Sequence, residues 1–293
     1  MPIPKYMQKL LEMHRLESHK NLPNDNAKSI KINKTKADEN SENHMIDSHC
    51  HVDSADFDSD RDEVVARAKA TGLFAFVNAG NSPKDNRRVM EIAEKYKGYC
   101  FPTLAVSPHH ACEITDEEFE AELRYIESNR AKLVGIGETG LDRHHFKKED
   151  EWHRQEKLFR AHIQLGEALD LPVVIHSRDA EERCIHIAEE YDCRIMLHCF
   201  LEHKAIDMAL ESDFMISVPT LKSKGINKII KKTPLERLLC ETDSPWLWQG
   251  GRNEPSNVKS VYERVAKIKS QPFEKVVETV DGSASSFFGI KRI

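Results

Sequence analysis

From Met45 onward, short unbroken apolar runs alternate with stretches in which apolar residues recur every three or four positions. The runs predict strands over Met45–His49, Leu73–Ala79, Cys100–Val106, Leu133–Gly137, Pro172–His176, Arg194–His198, Phe214–Val218 and Leu238–Glu241. Continuous apolar character is what parallel strands buried on both faces require. The stretches between them carry helix signals. Ser82-Pro83 offers an N-cap and a proline at the first helical position, ahead of Val89, Ile92, Ala93 and Tyr96 on one face, with Gly98 as a stop. Thr115 and Glu118 have capping-box spacing ahead of Phe119, Leu123 and Ile126. Further apolar faces are Cys184, Ile187, Ala188 and Tyr191, then Val258, Val261, Val265 and Ile268, then Phe273, Val276, Val277 and Val280. Strands alternating with helices predict an α/β fold. Residues 45–293 are close to the ~250 residues typical of a TIM (β/α)8 barrel.

Residues 1–44 break the pattern. Between Asn21 and Asn43, Leu22, Ile30 and Ile32 are the only apolar residues larger than alanine. Such composition does not offset the entropy of ordering, so a polar, flexible N-terminal extension is expected. One amphipathic helix over Tyr6–Leu16, through Leu10, Leu11 and Met13, is compatible with it.

Composition narrows the classes. Apolar residues make up 39% of the 293-residue chain. No stretch approaches the ~20 continuous apolar residues of a membrane span, and no secretory signal opens the chain. A cytoplasmic protein with no membrane association is expected, and nothing suggests an obligate protein partner. The seven cysteines are odd in number and lack Cys-x-x-Cys spacing, so they read as reduced and mostly buried thiols. The net charge of −6 argues against a broad basic surface for duplex binding. It leaves room for an enzyme that meets phosphate with metal ions and a few local cations.

The predicted strands end in metal-type ligands. Residues i and i+2 of a strand share a side, so His49 and His51 in Asp47-Ser48-His49-Cys50-His51 would project together from the end of the first strand. Alone, His-x-His is weak. But Glu138 follows the fourth predicted strand, His176 ends the fifth, His198 ends the sixth and Asp243 follows the eighth. Barrel active sites gather at these C-terminal ends. Four imidazoles and two carboxylates exceed one tetrahedral zinc site. They suit two divalent ions ~3.5–4 Å apart. In this reading Glu138 bridges, His49, His51 and Asp243 hold one ion, and His176 and His198 hold the other. Nitrogen and oxygen donors without thiolate suit magnesium, manganese or zinc.

These segments, Asp47 to His51, Gly137-Glu138-Thr139-Gly140-Leu141-Asp142, Val174-Ile175-His176-Ser177-Arg178, Leu197-His198-Cys199-Phe200 and Glu241-Thr242-Asp243-Ser244-Pro245-Trp246, closely resemble the TatD family of deoxyribonucleases. Arg252-Asn253-Glu254-Pro255 is similar to a further family segment. The resemblance runs in order from Met45 to about Ile290. It implies a TIM barrel, DNase activity, often exonucleolytic on single strands, and the same six metal ligands. The expected substrate is single-stranded DNA cut from the 3′ end, with Glu138 and Asp243 as catalytic residues and a hydroxide shared by the two ions as nucleophile. The chain departs from the family at Ser107, where histidine is frequent, and at Leu201-Glu202, where Ser-Gly is frequent.

Other residues have two readings each. Arg178 would either place a guanidinium on a phosphate or form an ion pair with a helix. His109 is a substrate contact or a surface histidine. Lys222 and Arg252 are weaker phosphate contacts. Asp142 either orients a ligand or caps the next segment. Gly135-Ile136-Gly137-Glu138-Thr139-Gly140 spells a dinucleotide-binding G-x-G-x-x-G, but no helical face starts before about Glu149. The alternative function is an amidohydrolase or phosphoesterase acting on a small molecule. Many of these have a lysine where Glu138 stands. A scaffold that has lost its chemistry would not keep all six ligands.

Overall fold

A computed structural model describes residues 30–31 and 44–291. Eight parallel strands run in chain order, each paired with the next: β1 (Met45–Cys50), β2 (Leu73–Ala79), β3 (Cys100–Leu104), β4 (Gly135–Asp142), β5 (Val173–Arg178), β6 (Ile195–Leu197), β7 (Met215–Val218) and β8 (Leu238–Cys240). Helices α1 (Arg61–Ala70), α2 (Pro83–Lys95), α3 (Asp116–Asn129), α4 (Glu149–Leu169), α5 (Glu181–Ala188), α6 (Ile206–Glu211), α7 (Lys224–Lys232), α8 (Val258–Lys269) and α9 (Phe273–Phe288) fill the connections. This is a TIM barrel, as the alternation predicted.

The strands are wrapped by apolar contacts on both sides. Phe76, Ile136, Ile175, Leu197 and Ile216 pack with the helices through residues such as Val65, Val89, Leu123 and Ile229. Ile46, Val77, Phe101, Val174, Met196 and Leu239 form a second cluster with Phe287 and Phe288 of α9. The barrel closes beyond its strand ends, where the His51 amide donates to the Ser244 carbonyl (2.8 Å) and the Asp243 amide donates to the His49 carbonyl (3.0 Å). Buried Asp47 locks the same seam by accepting from the Thr242 amide (2.9 Å) and the Thr242 hydroxyl (2.6 Å).

Both predicted helix starts are present. The Ser82 hydroxyl accepts from the Asp85 amide with Pro83 behind it, and Thr115 and Glu118 form a reciprocal capping box. Seven of the eight strands differ in their bounds from those predicted, and two of the differences bear on the ligand residues. β4 continues to Asp142, so Glu138 lies within the strand and not after it. β5 runs two residues past His176. The extra length comes from Gly140, which pairs with His176 at φ +142°; a Cβ there would stand 2.0 Å from the His176 carbonyl oxygen. The G-x-G-x-x-G glycines therefore serve strand pairing, and no helix opens until Glu149. The predicted Tyr6–Leu16 helix lies outside the described residues. Within the stretch expected to be unstructured, Ile30–Lys31 pairs in parallel with Ile290–Lys291.

One core histidine gives the fold a pH dependence. His162 of α4 is fully buried, its Nε2 accepting from the Val106 amide (3.1 Å) and its Nδ1 facing the Leu158 carbonyl (2.9 Å) and Thr139 hydroxyl (3.0 Å). Burial pulls this imidazole from 6.5 down to about 4. Its neutral form therefore stabilises the fold fully above pH 6.5, and that stabilisation is lost as pH falls from there towards 4. The gap corresponds to a contribution on the order of 3 kcal/mol. Urea unfolding of wild type and His162→Gln at pH 7 and pH 4 should show a flatter pH dependence in the variant. An identical dependence in the two proteins would contradict this.

Candidate metal centre

The barrel mouth gathers the six predicted ligands. His49 Nε2 stands 3.1 Å from His51 Nε2, 3.1 Å from Glu138 Oε2 and 3.7 Å from Asp243 Oδ1. His51 Nε2 is 3.5 Å from the same Asp243 oxygen. His198 Nε2 lies 3.3 Å from the same Oε2, its ring stacked on that of His49 with centroids 4.0 Å apart, and His176 Nδ1 lies 3.8 Å from Oε1. His176 Nδ1 and His198 Nε2 are 3.4 Å apart. All six are buried or nearly so. The side chains come from β1 and the turn after it, β4, β5, the turn after β6 and the segment after β8.

Neighbouring groups set which ring nitrogen faces inward. His51 Nδ1 sits 2.9 Å from the Ala79 carbonyl and donates to it, which leaves a lone pair on Nε2. His176 Nε2 donates to Asp142 Oδ2 at 3.1 Å, which leaves the lone pair on Nδ1, directed at Glu138. His198 Nδ1 is turned to Glu241 at 3.6 Å. Ring nitrogens of His49, His51, His176 and His198 thus converge on Glu138 and Asp243, where either a proton or a cation can lie between nitrogen and carboxylate. That donor set fits divalent cations. Second partners that fix imidazole orientation are the usual support of such sites.

The charges are mutually dependent. Burial would raise Glu138, but His198, His49 and His176 hold it well below the ordinary carboxylate range. Burial would lower His51, but Asp243 and Glu138 win and hold it at about 9. His198 is held at about 9 against its burial by Glu138 and Glu241. His49 moves down, through burial and the charge of His198. The cysteines next to ligands are not donors in waiting. Cys50 and Cys199 are pushed well above the ordinary thiol range by burial, and the Cys50 thiol donates to the Val77 carbonyl.

The other predicted residues separate. Arg178 lines a cleft of about 90 Å³ with His145, His176, His198, Asp243 and Leu247. Its guanidinium has no ion pair among the described residues, so the alternative role on a helix is not taken up. His109 is half-exposed against His176, with ring centroids 5.4 Å apart, and its Nε2 is 3.4 Å from Asp142. Arg252 ion-pairs with Asp60 (2.6 Å), donates to the Asp56 carbonyl and lies over the Phe57 ring. None of those partners belongs to the ligand cluster. Lys222 is exposed on the segment after β7, and no described contact ties it to the cluster. Asp142 fills both of its proposed roles, since its second oxygen accepts from the His144 (2.9 Å) and His145 (2.7 Å) amides. A cavity of about 570 Å³, lined by Arg194, Asp213, Glu236 and Ser286, lies at the opposite strand ends, away from this chemistry.

Glu241 was not among the predicted site residues. It is fully buried, accepts from Ser217 and faces His198. The signal was available, because Glu241 stands two residues before Asp243, the same spacing that paired His49 with His51. Two further groups, His145 on Asp142 (2.8 Å) and Trp246 against His51, also escaped.

Comparison with known proteins places this arrangement. A model of the TatD related DNase family matches residues 46–289. The chain belongs to the TatD family. It is 31% identical over 259 residues to the deoxyribonuclease TATDN3 of Homo sapiens, covering 83% of this chain and 94% of that protein. It is 30% identical over 262 residues to the 3′-5′ ssDNA/RNA exonuclease TatD of Pantoea sp. strain At-9b, covering 83% and 99%. The crystal structure of YJJV, a TatD homologue from Escherichia coli K12, superposes with a TM-score of 0.79 at 24% identity, covering 86% and 100%. This TatD-family protein is a metal-dependent hydrolase acting on ester bonds.

Asp142 gives a test of the site's construction. Asp142→Asn keeps an acceptor for the two amides but removes the charge behind His176. Affinity for manganese at the His176 side should weaken about 10- to 100-fold, as read by calorimetric titration of the metal-free protein. Unchanged affinity would show that Asp142 serves the turn alone.

Proposed function

We propose that this protein hydrolyses phosphodiester bonds of single-stranded DNA from the 3′ end, with two divalent ions, magnesium, manganese or zinc, held at the barrel mouth. The single observation that carries the reading is the convergence of imidazole and carboxylate donors around Glu138, with His49 and His198 on one oxygen and His176 on the other. His49, His51 and Asp243 would hold one ion, His176 and His198 the other, and Glu138 both. When bound, such ions acidify water and neutralise charge on phosphoryl oxygens.

The chain's own residues supply the rest. Glu138 stays ionised in the buried mouth because four imidazoles surround it. Asp243 lines the same cleft as Arg178 and is likewise held below its ordinary range, against burial, by His51, His198 and His49. Its carboxylate is placed to take a proton from an attacking water. Arg178, free of any ion pair among the described residues, presents its fork to a non-bridging phosphate oxygen. His109 and His145, both anchored on Asp142, border the approach to His176. The relative named a 3′-5′ ssDNA/RNA exonuclease supports the choice of substrate and polarity. The small-molecule alternative loses ground to the carboxylate at position 138, where many such barrels carry lysine.

End-labelled single-stranded and duplex DNA tests this directly. The manganese- or magnesium-loaded protein should shorten a 5′-labelled single strand stepwise, lose activity in chelator and regain it with the metal. Asp243→Asn and Glu138→Gln should each reduce turnover at least about a hundredfold while unfolding normally in urea. Wild-type turnover in either variant would contradict the assignment.

A further inference from the structure

Trp246 has no role in the chemistry above, yet it is placed beside it. It is the exposed large apolar side chain among the described residues, with 48% of its surface open. Its ring lies against the ring of His51, centroids 5.0 Å apart and planes tilted by 59°. Its backbone is fixed on both sides. The Trp246 amide donates to the Asp243 carbonyl (3.0 Å), and its carbonyl accepts from the side chain of buried Asn253 (2.7 Å). Asn253 Nδ2 also lies 2.9 Å from the Thr242 carbonyl and 2.9 Å from the Thr220 hydroxyl, so its two hydrogens are shared among three oxygens. The segment that carries Asp243 therefore carries the indole too, held rigidly with a face left in water. Leu247, the next residue, lines the cleft with Arg178 and Asp243.

Leaving an indole in water forgoes the burial that a tryptophan ordinarily gains. An aromatic face fixed within a residue or two of a phosphate-processing centre has one obvious complement, the face of an unpaired base. Every base has a π face, so such a contact is tolerant of sequence. It is closed to a base still stacked and paired in a duplex. The net charge of −6 adds weight, because overall electrostatic attraction does little to hold a strand.

We propose that Trp246 is the stacking platform for the nucleobase next to the scissile phosphate, and that this contact makes the site selective for unpaired strand ends. The proposal rests on the nuclease reading for the identity of the phosphate. Trp246 acts as a specificity-determining residue and takes no part in bond breaking. His51 lies between the indole and the other ligands, so a base on Trp246 sets where its own phosphate falls relative to Asp243.

The test compares two 5′-fluorescein-labelled single strands, one with ordinary 3′-terminal nucleotides and one whose last two residues lack a base. Anisotropy is read with the metal-loaded protein in the first seconds after mixing, and cleavage is followed on gels. Wild type should bind the base-bearing end more tightly, by a factor within the roughly 5- to 150-fold range of one stacked base. Trp246→Ala should erase that difference, and Trp246→Phe should keep most of it. The proposal is overturned if wild type binds both strands equally, or if Trp246→Ala weakens both strands by the same factor. If wild type prefers the base-bearing end but cuts neither strand, stacking stands and the nuclease reading fails. If it cuts both strands with equal affinity, the nuclease reading stands and stacking fails.

Discussion

The barrel mouth is organised around a carboxylate that must stay charged while buried. Taking an ionised carboxylate out of water costs several kcal/mol unless charge and hydrogen bonds replace its hydration. Glu138 is 5% exposed and no lysine or arginine pairs with it among the described residues. Its partners are imidazoles brought by other strands, and three of them face a polar group behind: the Ala79 carbonyl for His51, Asp142 for His176 and Glu241 for His198. Remove the cluster and each of these buried polar groups loses its reason to be ordered. The same logic explains why the cluster suits cations. It concentrates ring nitrogens and negative charge in a place that no described lysine or arginine reaches.

That concentration depends on a barrel that closes properly. The seam between β1 and β8 is where His49, His51 and Asp243 must meet, and these come from opposite ends of the chain. The closure bonds run through these residues themselves, from His51 to Ser244 and from Asp243 to His49. Asp47, two residues before His49, holds Thr242, one residue before Asp243. Seam and site are therefore one structure. Asp243 sits at φ +55°, a conformation that L side chains seldom adopt, and the closure bonds help hold it there.

Much of this was legible in the sequence because parallel-barrel strands are short, apolar and followed at once by the residues that do chemistry. A polar residue facing the mouth is flagged by the sudden polarity that closes an apolar run, as at His176, His198 and Asp243. What escaped was whatever depends on pairing between strands. The extension of β4 past Glu138 follows from the close approach of Gly140 to the His176 backbone, which no run of apolar residues records. Glu241 reads as the polar end of a strand until Ser217 and His198 are seen against it. Neither α7 nor α1 was among the predicted helices, although Ile226, Ile229 and Ile230 have helical spacing in α7; α1 offers little more than Val64, Val65 and Ala68 among charged residues. Arg252 shows the limit of reading a cation as a phosphate contact: its partners, Asp60 and the Asp56 carbonyl, lie almost 200 residues away in sequence.

The central claim is that donors from five places in the chain form one cage for two ions. Anomalous diffraction from crystals soaked in manganese tests it most directly. The account predicts two peaks at the barrel mouth, one among His49, His51 and Asp243 and one beside His176 and His198, with Glu138 touching both. A single peak elsewhere on the surface, or none at the mouth at saturating metal, would contradict it.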